Sequence, residues 1–140
     1  MMQFQSQRTK YYFEKYVLEV AIATLEKGGS ASKLDTYQFL PPTDDWKFPK
    51  YPSKTVILSP QINLVAELKN FILVNEKFLR EADCWLGTWI HPQTQEFYFD
   101  VTTRCENFEE ARKLALEFGN REGRKIVALY NSGRNQIVYL

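Results

Sequence analysis

The stretch from Trp85 to Thr103, WLGTWIHPQTQEFYFDVTT, limits the possible folds more than any other part of the chain. Phe97, Phe99 and Val101 alternate with Tyr98, Asp100 and Thr102, the period of two that sends successive side chains to opposite faces of a sheet. Residues 85–90 read as the partner strand and Pro92 to Gln95 as the turn, so the stretch is a half-buried hairpin. The helix that follows is well punctuated. In NFEEARKLALEFGN, Asn107 stands as N-cap, Glu110 completes a capping box, and Gly119 closes the helix. Ala111, Leu114, Ala115 and Phe118 form its buried stripe. KIVALY (125–130) and QIVYL (136–140) are two further strands around the turn NSGRN. The pattern ββαββ predicts a mainly antiparallel, four-stranded sheet with a helix on one face, which makes the fold class α+β.

The upstream half is less regular. Residues 8–27 predict a helix, with Phe13, Tyr16, Val17, Val20 and Thr24 on its apolar stripe. Leu18, Ala21, Ile22 and Leu25 widen that stripe, so the helix needs cover on more than one side, from its own chain or from a partner. Gly28 and Gly29 end it. Residues 28–59 hold four of the six prolines and no sustained period, and read as an irregular arm with a short strand over 55–58. Its aromatics, Tyr37, Phe39, Trp46, Phe48 and Tyr51, argue for an ordered arm laid on an apolar surface, since disordered linkers are aromatic-poor. Ser59 as N-cap and Pro60 at the first position open a second helix within 60–84, with a break near Asn75. The expected organisation is a single domain, 1–140, of helix (1–27), arm and strand (28–59), helix (60–84) and ββαββ module (85–140).

Most catalytic chemistry lacks its residues. His91 is the only histidine, which excludes mechanisms needing two, and its place before Pro92 reads as an exposed turn. Cys84 and Cys105 lack CxxC spacing and read as two buried thiols, so neither a disulfide framework nor a structural zinc site is indicated. No glycine-rich phosphate loop occurs, and no cofactor motif. A net charge of +1 implies no long-range field toward nucleic acid. The absence of a signal-like start or of a long apolar run predicts a soluble, cytoplasmic protein with no membrane partner.

Three groups remain as binding candidates. Trp85 and Trp89 flank Gly87, whose missing side chain leaves a gap to be filled by the chain itself, a ligand ring or a partner. Tyr98 and Asp100 share a polar row, set against the tryptophan face, with Arg104 at the strand's end. Arg121, Arg124 and Lys125 enter the third strand of the module as a small basic cluster, interspersed with glutamates.

The run LGTWIHPQTQEFYFDVTTRCENFEEARKLALEFGNREGRKIVALYN resembles accessory proteins of phages and mobile elements. Gly87, Trp89, Phe97 to Val101, Glu110–Ala111 and Leu114–Ala115 carry the resemblance, which covers residues 86–131. Where that pattern often has Gln before its last strand, this chain has NREGRK. The resemblance implies a small α+β module of largely unassigned function and transfers no catalytic residue. The function expected from the sequence is therefore non-enzymatic: an accessory or regulatory protein that binds another protein or a second copy of itself. The alternative is a small-molecule or nucleic-acid binder, with hydrolytic potential, built on Tyr98, Asp100, Arg104 and the 121–125 loop. That alternative requires these groups to converge on one concave pocket.

Overall fold

The computed structural model describes residues 2–140, with side chains described from Gln7 onward. Helix α1 spans Met2–Lys27 and is followed by β1 (Gly29–Ser32), β2 (Trp46–Pro49), a 3-10 turn (Pro52–Lys54) and β3 (Val56–Leu58). Then come α2 (Leu64–Leu79), β4 (Trp85–Ile90), β5 (Phe97–Cys105), α3 (Phe108–Glu122), β6 (Ala128–Asn131) and β7 (Gln136–Tyr139). The α+β class is as the sequence predicts.

The sheet has seven strands rather than four. Its order is β1-β4-β5-β2-β6-β7, with β3 pairing the other half of β5, and every pairing is antiparallel. The two hairpins of the 85–140 module do not pair with each other. Strand β2, from the arm, lies between them, with Trp46 opposite Cys105 on one side and Lys47 opposite Tyr130 on the other. A strand of three or four residues carries too little period to announce itself, and three such strands make the arm look irregular. Its aromatics hold it to its own chain. Tyr37 stacks on Tyr16 with ring centroids 4.4 Å apart, Trp46 packs on Phe108 at 4.9 Å, and Tyr51 meets Phe78 edge-on at 4.9 Å.

Register decides the two faces. Leu86 lies opposite Val101 and Ile90 opposite Phe97, so the apolar rows of β4 and β5 share the face that the helices cover. One core joins Tyr16, Val17 and Val20 of α1, Leu68, Phe71, Ile72 and Leu79 of α2, and Leu86, Phe97, Phe99 and Val101 of the sheet. A second core places Ala111 and Ala115 of α3 over Trp46, Phe48, Ile126 and Leu129. Since Trp46 pairs Cys105 and Phe48 pairs Thr103, these residues lie on the same side as the first core. All three helices therefore pack on one face; among the described residues none packs across the other, although the C-terminal turns of α1 reach its edge.

Helix ends differ from the sequence reading in several places: α1 begins at Met2 rather than at residue 8, and α2 ends at Leu79, short of residue 84. The second helix begins at Leu64, with the Asn63 carbonyl oxygen Oδ1 accepting from Ala66 N at 3.1 Å. The Ser59 hydroxyl is engaged in a local turn instead, accepting from Gln61 N at 3.2 Å. The expected break is present at Asn75 (φ −111°, ψ 16°), whose Nδ2 donates to the Phe71 carbonyl. Helix α3 starts as predicted, with Asn107 accepting from Glu110 N at 2.9 Å, but it ends at Gly123 (φ 67°) rather than Gly119. Gly119 is an interior residue, where a Cβ would press to 3.2 Å from the Arg124 carbonyl oxygen of the returning chain. Among the described residues no helix is long and apolar enough to cross a membrane.

Candidate functional site

The helix-free face collects the residues that the hairpin sequence singled out. Trp85 lies opposite Thr102, Gly87 opposite Asp100, and Trp89 opposite Tyr98. The tryptophan row and the Tyr98–Asp100 row, which the sequence set on different faces, are thus neighbours on one face. Alternation within a strand says which residues go together, but only the ladder register says which row of the next strand they meet. The gap at Gly87 is filled from within. A Cβ there would stand 1.9 Å from the Thr102 hydroxyl oxygen, so glycine is required by Thr102 and no ligand ring enters the gap.

The sheet curls about this face. Tyr139 on the last strand brings its ring to 6.0 Å from His91, just beyond the end of β4. The half-open cavity here has a volume of about 760 Å³, within the range of pockets that take a small organic ligand. Trp89, Tyr98, Asp100 and Thr102 form part of its wall, with Ile57 of β3 and Ala128, Tyr130 and Ile137 of the C-terminal hairpin. Leu40 and Pro42 from the arm contribute further apolar surface, and Arg124 and Lys125 line the cavity from the α3–β6 connection.

Asp100 is the polar centre of this wall. Its Oδ1 accepts from the Thr55 hydroxyl at 2.5 Å, and the Thr55 carbonyl accepts from Arg124 Nη1 at 2.5 Å. Burial pushes the Asp100 carboxyl up to about 6, while the Thr55 hydrogen bond and the Arg124 charge oppose the rise. Among the described residues no other donor reaches this carboxylate, and no buried side-chain oxygen is left without a partner. Its second oxygen therefore opens to the cavity that Asp100 lines. Tyr98 is also raised, by burial first and then by the Glu96 and Asp100 charges.

His91 is not the exposed turn residue that its sequence context implies. It is 8% exposed, because its ring packs among Trp89 (5.0 Å), Tyr98 (5.9 Å) and Tyr139 (6.0 Å). Two of these rings belong to its own hairpin, and the curl of the sheet adds Tyr139 from the end of the chain.

Of the sequence candidates, the fold brings Trp89, Tyr98, Asp100, Arg124 and Lys125 to one cavity and leaves Trp85, Arg104 and Arg121 outside it. Trp85 is covered by two cations, Lys33 Nζ at 5.3 Å and the Arg104 guanidinium at 4.8 Å from its ring centre. Arg104 in turn donates to Asp45 at 3.1 Å. Arg121 donates to the Lys50 carbonyl and lies over the Phe118 ring. These three hold the fold together. The residues that sequence reasoning missed, Thr55, Ile57 and Ile137, sit on strands or connections too short to announce a face; Thr55 was read only as the start of a strand.

One group of possible metal ligands exists among the described residues: Glu81, Asp83 and Cys84 lie with their ligand atoms within 4.8 Å of one another. A cation of the chain already serves it, since Lys50 Nζ lies 2.8 Å from Glu81 and 3.0 Å from Asp83. Cys84 is buried and its thiol is pushed up to about 12, by burial first and then by the Asp83 charge, which makes it a poor nucleophile. Cys105, expected to be buried, is partly exposed, and its Sγ donates to the Asn107 carbonyl.

Compared with known proteins, the chain matches no family model, no curated protein and no solved structure.

Proposed function

We propose that this chain binds a small, mainly apolar molecule in the cavity on the helix-free face of its sheet, with Asp100 as the polar anchor. The observation that carries the reading is convergence: Trp89, Tyr98, Asp100, Arg124 and Lys125, distant in sequence, line one cavity of about 760 Å³. Aromatic walls supply apolar contact, and a few fixed polar groups orient a ligand. The Asp100 oxygen that faces the cavity accepts a hydrogen bond when ionised and donates one when protonated, so a hydroxyl, amide or amine on the ligand fits it. A reducing, cytoplasmic setting belongs to the same proposal and is supported by the two free cysteines.

The test is a fragment library screened against the full chain by saturation-transfer NMR, repeated on Asp100→Asn and on Ala128→Phe. Ala128 lines the cavity, and a phenyl ring there occupies it. Hits lost in Ala128→Phe, with the polar ones weakened in Asp100→Asn, support the proposal. Hits that bind both variants as well as the parent chain, or no hits at all, overturn it.

The protein-interaction function favoured by the sequence keeps one observation of its own. Leu18, Ile22 and Leu25 of α1 stand exposed, on the side of the helix away from the core.

A further inference from the structure

Helix α1 carries two apolar faces. Tyr16, Val17, Val20, Ala21 and Thr24 are buried against the sheet and α2. On the opposite side Tyr11, Lys15, Leu18, Ile22 and Leu25 follow one another in steps of four and three residues, the spacing of a coiled-coil seam. The four large side chains of that seam are 64%, 51%, 46% and 62% exposed in chain order. Ile22 also borders the cavity, but Tyr11, Leu18 and Leu25 do not line it.

The described residues 7–12 of α1 also lack support. Every described side chain from Gln7 to Tyr12 is exposed, and burial begins only at Phe13 and Tyr16. A helical stretch this short is marginal in water without packing. The charges left free beside the seam differ between its halves. Arg8 and Lys15 lie in the projecting half, where Glu14 is already paired with Lys69 of α2, while Glu19 and Glu26 flank the docked half. In a parallel pair of such helices each charge would meet its own kind. In an antiparallel pair Arg8 faces Glu26 and Lys15 faces Glu19, about one two-fold centre near Val17. That same arrangement lays each projecting half over the other copy's docked half.

We propose that α1 pairs with α1 of a second copy of this chain, antiparallel, to form a homodimer through Tyr11, Leu18, Ile22 and Leu25. The dimer stands apart from the ligand-binding proposal, although Glu19, Ile22 and Glu26 also border the cavity and so place the two features side by side.

Sedimentation equilibrium on the full chain tests it. The expected species is twice the 16.5 kDa chain mass at micromolar concentration. Leu18→Glu with Leu25→Glu, both at exposed positions, gives a folded monomer. Lys15→Glu alone and Glu19→Lys alone each weaken the dimer roughly tenfold, and the two together restore it, a rescue that general stickiness would not produce. Orientation is read from disulfide trapping. Arg8→Cys chains mixed with Glu26→Cys chains cross-link to each other, and Arg8→Cys chains alone do not. A monomer at all these concentrations, a dimer that survives the double glutamate substitution, or cross-linking of Arg8→Cys chains with themselves overturns the proposal.

Discussion

Gly87 and Thr102 form a fitted pair across the β4–β5 ladder: a side chain on the first would stand 1.9 Å from the hydroxyl oxygen of the second. The Thr102 Cβ is also close, at 2.9 Å from the same point. Gly87→Ala is therefore expected to cost about 1–3 kcal/mol, in the range of core overpacking. Adding Thr102→Ala recovers only part of that loss, and Thr102→Gly recovers more of it. Urea denaturation of the three variants gives the ranking.

Asp100 gives the stability curve a defined slope. Burial raises its carboxyl from 3.8 to about 6, so between these values the folded chain holds a proton that the unfolded chain has lost. Its contribution is full below the lower value, falls as pH rises to about 6, and is flat above. Asp100→Asn should remove that slope and stabilise the chain at neutral pH. The gain expected is about 1–2 kcal/mol, below the roughly 3 kcal/mol of the full shift, because the cavity side admits water. Thermal melts of both chains at a series of pH values from 4 to 7 provide the check.

The opposite sign applies at Glu81. Its carboxyl lies below its ordinary value, chiefly through the hydrogen bond from Lys50, after which burial opposes and Tyr51 assists. Stability from this pair is present above 4.5 and is lost as pH falls through the lowered value. Lys50→Met should cost about 1 kcal/mol at neutral pH and make the acid limb of the stability curve shallower. An acid limb unchanged by Lys50→Met would contradict this.

Beneath the hairpin, the Thr88 hydroxyl lies 2.6 Å from Thr24 Oγ1 and 2.8 Å from Ser30 Oγ, tying β4 to α1 and β1. Thr24 also donates to the Val20 carbonyl at 2.7 Å. Thr88→Val leaves two buried or half-buried hydroxyls short of a partner and should cost about 1–3 kcal/mol. The triple change Thr24→Val, Ser30→Ala and Thr88→Val removes the whole cluster and should cost less than the single one. Equilibrium unfolding of the two chains decides it.

Where the sequence was readable, local physics dominated. The α3 start was legible because Asn107 acts within three residues of itself, and the β4–β5 hairpin because its period of two runs from Phe97 through Thr102 of β5. The candidate site was legible only by parts. Tyr98, Asp100 and Trp89 could be named from alternation, yet their shared face came from a register, and their meeting with Arg124 and Lys125 came from the curl of the sheet. Thr55, the one side chain bonded to Asp100, sits just after a 3-10 turn that no periodicity marks. His91 was misread as exposed because its cover comes from the cross-strand pair Trp89 and Tyr98 and from Tyr139 at the other end of the module. Helix α1 was the converse case. Its surplus of apolar residues was plain in the sequence, and burial shows which of them the chain leaves uncovered.

The placement of β2 has a consequence for how the chain assembles. Strand β5 can pair on its second side only with segments made much earlier, and β6 reaches the sheet only through that same four-residue strand. During synthesis Trp46 and Phe48 must wait, unpaired, until residues far downstream emerge. Such non-local closure slows folding. A fragment beginning at Trp85 would contain two hairpins and a helix yet lack the strand that joins them, and so should remain unfolded until a peptide spanning residues 46–49 is supplied from outside.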